Sequence, residues 1–142
     1  MSAVKLVAVF AENKLGQMAR VTKILADAGV NIRWVTIATT DTFGVIKLLV
    51  DHVDRAYQSL KQNSLTVSLV EVLAIEVDDK PGAFHDLAET LARNQINVQN
   101  SSGFVVNNRA VLLIEVADPA KAAATLAGEH LRLRTQEELL TL

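Results

Sequence analysis

The chain has 142 residues, 14 basic and 16 acidic, for a formal charge of −2, and half of its residues are apolar. That balance leaves no basic footprint for nucleic acid, and the absence of cysteine removes disulfide frameworks and thiolate chemistry. No apolar run reaches membrane-spanning length and the N-terminus lacks a secretory pattern, so a cytoplasmic protein with an aliphatic core is expected.

Residues 4–11 form a Val- and Ala-rich run of strand length. From Gly16 to Ala28, the residues Met18, Val21, Ile24, Leu25 and Ala28 mark one helix face, which Gly29 ends. Residues 30–39 alternate, with Val30, Ile32 and Trp34 expected on the helix side and Val35 and Ile37 away from it. Residues 43–50 form the next strand, Val53 to Leu60 space a second helix, and 65–69 form a short strand. The order then recurs: strand 70–77, helix from Phe84 to Leu91, strand 96–106, an Asn107-Asn108 turn and strand 109–116. Asp118-Pro119 reads as an N-cap with proline at the first helical position, ahead of a helix to about Leu126 and a last strand at 131–135.

A shift of 66 residues lays 4–69 on 70–135 without a gap. Gly16 then falls on Gly82, Asn31 on Asn97, Lys14 on Lys80 and Leu25 on Leu91. Two modules follow, residues 1–69 and 70–142. Each reads βαββαβ, an α+β ferredoxin-like unit whose antiparallel sheet carries both helices on one face. The opposite face is also largely apolar, which predicts pairing of the halves, of two chains, or both.

Asp79-Lys80-Pro81-Gly82 followed by Phe84 resembles the Asp-x-Pro-Gly-x-hydrophobic turn of the ACT domain family. Gly29-Val30-Asn31-Ile32 resembles its Gly-x-Asn-Ile step, and Gln95-Ile96-Asn97-Val98 is a second copy of that step. The first turn departs from the pattern, with Asn13 for Asp and Leu15 for Pro. The resemblance implies tandem regulatory modules without catalysis or cofactor, binding an amino acid or related metabolite where modules meet. It also implies a stand-alone sensor or regulatory subunit, expected as a homodimer, with a metabolic enzyme or regulator as a further partner.

The chemistry of the turns agrees with that class. A strand that turns through glycine into a helix leaves backbone N–H donors free for a carboxylate, and an asparagine amide can hold either end of a zwitterion. The candidate ligand-binding residues are Asn13, Leu15, Gly16, Gln17 and Met18 in one turn and Asp79, Pro81, Gly82, Ala83 and Phe84 in the other, with Asn31, Ile32, Asn97 and Val98 at the second-strand starts. Turn and strand start are expected at the same end of a sheet, with the Gly82 turn meeting Asn31 across one module boundary and the Gly16 turn meeting Asn97 across the other.

The bland readings stand beside these: turn glycines, capping asparagines, solvated Lys14 and Lys80, surface His52, His85 and His130, and a strand irregularity at Ser101-Ser102-Gly103. An acylphosphatase would need an arginine in the first turn, and an RRM would need aromatic and basic residues on its central strands. Neither requirement is met. The alternative kept open is a protein–protein module that docks a metabolic enzyme without a small ligand.

Overall fold

Alternation in the first strand, β1 (Val4–Glu12), buries both of its faces: Val7 and Val9 join the core beneath the helices, and Leu6 and Ala8 are buried on the other side. The computed structural model describes residues 3–142. They divide into two compact units, Lys5–Val70 and Glu71–Leu142, with residues 3 and 4 counted in the second.

In the first unit, α1 (Gln17–Asp27) puts Val21 and Leu25 wholly inside. Gly29, at φ 72°, ends it: its N–H donates to Ala26 and that of Val30 donates to Leu25, the crossed pair of a left-handed cap. The chain continues through β2 (Ile32–Thr39), β3 (Phe43–Val50) and α2 (Val53–Gln62) into β4 (Thr66–Asp78). The strand order is β2-β3-β1-β4, and β3 runs antiparallel to both β1 and β2. The second unit repeats this with α3 (Ala83–Arg93), β5 (Asn100–Val106), β6 (Arg109–Glu115), α4 (Pro119–Leu126) and β7 (Arg132–Leu133), in the order β7-β4-β6-β5. Both are split βαβ arrangements with helices on one side of the sheet.

Four local features depart from the expected pattern. Strands 65–69 and 70–77 are one strand, β4, because no Gly, Pro or turn residue interrupts the chain at Leu69-Val70. A β-bulge at Arg33 shifts the register between Ile32↔Val50 and Trp34↔Leu49. It therefore turns Trp34 away from the helices and places Val35 and Ile37 opposite Leu48 and Ile46 on the helix side. Gly103 lies in unbroken register opposite Leu112 rather than at an irregularity. A Cβ there would stand 2.6 Å from Leu112 Cδ2 and 2.8 Å from the Val111 carbonyl oxygen, so close strand approach requires glycine. Finally, β5 begins at Asn100, four residues later than the expected 96. In the first unit Asp51 Oδ1 accepts the Asn31 N–H at 2.9 Å and pins the strand start. Ala117 holds the corresponding place in the second unit and offers no acceptor.

The Asn107-Asn108 turn has both residues at positive φ (52° and 62°), as a type I′ hairpin requires. Asp118 caps α4 by accepting the Lys121 N–H at 3.1 Å, ahead of Pro119. The last residues add α5 (Gln136–Leu140), closed by a Thr135–Glu138 capping box, with Leu139 buried.

Candidate functional site

Gly16 and Gly82 occupy matching positions at the N-caps of α1 and α3, with φ of 86° and 87°. Nothing lies within 4 Å of where a Cβ would be on either, so the left-handed backbone, not crowding, demands glycine. No side chain caps either helix, and the first-turn donors open at an exposed turn. Their positive dipole ends suit a carboxylate. Lys14 and Lys80 pair with the exposed Glu12 and Asp78 at 3.7 and 3.9 Å, contacts of little energetic weight.

Around the first turn, the Asn13 side chain donates to the Thr40 carbonyl at 3.2 Å and its N–H to that of Thr42 at 2.9 Å, which ties the turn to the β2–β3 hairpin. Asn13, Gln17 and Met18 share a cavity of about 100 Å³ with Ile37 and Ile46. Leu15 projects fully into solvent. Around the second turn, Ala83 lines a cavity of about 400 Å³ with Asp78, Lys80, Asp86 and Arg132. Asp79, Pro81 and Phe84 are exposed.

The asparagines are elsewhere. Asn31 binds Asp51 through both backbone groups, donating its N–H to Oδ1 and accepting the Asp51 N–H at 3.2 Å, while its amide is exposed. Ile32 packs half-buried against the core, Val98 is exposed, and Asn97 lines a cavity of about 370 Å³ beside α4. Strand register corrects the expected geometry. Glu12, at the Gly16 end, pairs with Phe43, whereas Ile32 pairs with Val50 at the opposite end of β3. In the second unit Asp78 pairs with Arg109, and Asn100 with Glu115 at the far end of β6. The crossover helix carries the chain back along the sheet, so each glycine turn and its own module's asparagine lie at opposite ends.

Sequence reasoning passed over a charged cluster on β4. Glu76 is 3% exposed, the only polar or charged residue among the buried described residues. Arg134 grips it with two bonds of 3.1 Å, while Arg109 and Arg132 approach to 3.3 and 3.5 Å. The Arg134 hydrogen bonds, with help from all three charges, hold the Glu76 carboxyl below the usual range despite burial. Arg134 also bonds Glu138 at 2.8 Å and so ties α5 to the sheet. A lone carboxylate inside an apolar strand, with Arg132 and Arg134 alternating farther on, was the available signal. No three His, Asp or Glu side chains cluster as a metal site among the described residues, and none of their helices is long and apolar enough to cross a membrane.

Comparison with known proteins places this architecture. The structure of protein BT0572 from Bacteroides thetaiotaomicron is similar, with a TM-score of 0.92 and 28% identity over 99% of this chain and 98% of that one. The ligand-free regulatory subunit of aspartate kinase from Thermus thermophilus shares the fold at a TM-score of 0.63 and 12% identity, covering 89% and 92% of the two chains. The regulatory subunit from Thermus flavus does so at 0.62 and 13%, covering 99% and 94%. No curated protein sequence matches the chain. The family model described as an ACT domain pair matches residues 1–142. The chain belongs to the ACT domain-pair family.

Proposed function

We propose that this chain is a non-catalytic regulatory protein that binds an amino acid or similar small metabolite, and that a second copy completes the site. The observation that carries the reading is the pair of uncapped, exposed, left-handed glycines at matching helix starts, Gly16 and Gly82. They offer a carboxylate the N-terminal end of a helix twice over. Membership of a family of regulatory domains supports the class of function.

Strands β2 and β5 end the strand order and leave edges free for pairing. Antiparallel pairing of β2 from one copy with β5 from another sets the start of each strand beside the end of the other. The Gly82 turn then meets Asn31, and the Gly16 turn meets Asn97. Because turn and asparagine of one module lie at opposite ends of its sheet, this arrangement joins them only across copies. Titration calorimetry of the full chain with the twenty amino acids tests it. Asn31→Ala and Asn97→Ala should each weaken binding about tenfold, the effect of losing about 1.4 kcal/mol of hydrogen bonding. Unchanged affinity in both variants overturns the site.

A second reading, docking to an enzyme without a small ligand, draws on Phe10 and Phe43. They are 43% and 60% exposed and line an apolar hollow with Ala38 and Val45.

A further inference from the structure

At the turn from α3 into β5 the two units diverge, although every position has a counterpart 66 residues away. In the first unit Asp51 pins Asn31, and the Arg55 guanidinium lies over Gly29, its Nη1 3.6 Å from where a Cβ would be. The second unit has Ala117 for Asp51, Lys121 for Arg55 and Gln95 for Gly29. Gln95 nonetheless keeps the left-handed backbone, at φ 59°. The segment after it, 96–99, is not a strand. At its far end the Gln99 N–H donates to the Glu115 carbonyl of β6 at 2.8 Å. Beneath it opens the cavity of about 370 Å³, within the usual range of about 300–1,000 Å³ for small-molecule sites.

The lining is rich in donors. The side-chain amides of Gln95, Asn97 and Gln99 and the ammonium of Lys121 have no bonded partner among the described residues. Asp118 spends one oxygen on the Lys121 N–H and keeps the other available. Ile96, Val116 and Ala122 supply an apolar wall. We propose that this cavity is a further ligand site, confined to the second unit, for a short-chain carboxylate that carries a hydroxyl donor. The carboxylate lies on Lys121 and the amides, the hydroxyl donates to the free Asp118 oxygen, and the carbon chain lies against Ile96 and Val116. The site needs no second copy and does not use the glycine turns; it shares only Asn97 with the site proposed above, so Lys121, which that site does not use, separates the two.

The test is a titration of the ¹⁵N-labelled full chain with sodium L-lactate and sodium L-malate, with sodium acetate and sodium chloride as controls. Expected are saturable shifts of the amides of 95–99, 117, 118 and 120–122, with acetate at least tenfold weaker because it lacks the hydroxyl. Lys121→Met, an exposed position, should cost tenfold or more in affinity, and Ala117→Asp, which restores the pin of the first unit, should abolish binding. Arg55→Met, in the first unit, should leave it unchanged. No shift up to about 20 mM, past the millimolar range of weak binding, shifts confined to other residues, equal response to chloride, or indifference to Lys121→Met would each overturn the assignment.

Discussion

Replacing Glu76 by glutamine keeps the shape of the side chain and removes the charge at the centre of three guanidinium groups. Breaking a buried ion pair from one side costs about 3–5 kcal/mol. Here the carboxylate is covered by arginines rather than by apolar core, and the side chains of Arg109, Arg132 and Arg134 are 37, 48 and 27% exposed. Arg132 also keeps Asp78 at 2.9 Å, and Arg134 keeps Glu138 at 2.8 Å. Solvent screening and these remaining partners reduce the expected cost to about 2 kcal/mol at pH 7. For a chain of this size that is a fall in Tm of about 6–8 °C. The sign with pH follows from the lowered carboxyl pKa. A group whose folded pKa is depressed contributes fully above its unfolded value, about 4.3 for glutamate, and that contribution disappears as pH falls through the lower folded value. Urea denaturation of wild type and Glu76→Gln, followed by circular dichroism from pH 7 to pH 3, should show a gap that is widest near neutrality and closes below pH 4. A gap under about 0.5 kcal/mol at pH 7, or one that does not narrow in acid, refutes the reasoning.

Gly103→Ala should destabilise by about 2–3 kcal/mol in the same assay, since the Val111 carbonyl 2.8 Å from the new methyl is backbone and cannot swing aside. Ser64, at φ 65° behind α2, should gain from glycine: relief of about 1–2 kcal/mol of left-handed strain, less about 0.5–1 of backbone entropy, predicts a net rise of about 0.5–1 kcal/mol. Asp51→Ala should cost about 1 kcal/mol and speed hydrogen exchange at Asn31 by about fivefold or more, making that strand start behave like 96–99.

The fold was legible because apolar spacing, turn residues and the 66-residue repeat agreed at every level. Phe43–Val50, the Asn107-Asn108 turn and the Asp118-Pro119 helix start fall where their residues put them. What escaped reading depends on contacts between distant parts of the chain. The Arg33 bulge carries no local mark and reverses the faces of Trp34, Val35 and Ile37. The late start of β5 follows from Ala117, a residue 17 positions after Asn100. The Glu76 cluster joins residues up to 58 apart. At the candidate site the glycine turns were legible from their helix-start chemistry. The position of the asparagines was not, because it depends on the direction in which each crossover returns the chain.

The central claim, ligand-linked regulation by a small metabolite, meets its most direct test in a thermal-shift screen of the full chain against the twenty amino acids. A ligand that binds only the folded state stabilises it by about 2.7 kcal/mol at one hundred times its Kd. The account predicts at least one amino acid whose addition raises the midpoint progressively with concentration, by about 8 °C at that excess, with the rise at the same concentration cut to about half in an Asn31→Ala, Asn97→Ala double variant whose sites bind about tenfold more weakly. A midpoint that no amino acid moves, or a rise of undiminished size in the double variant, contradicts it.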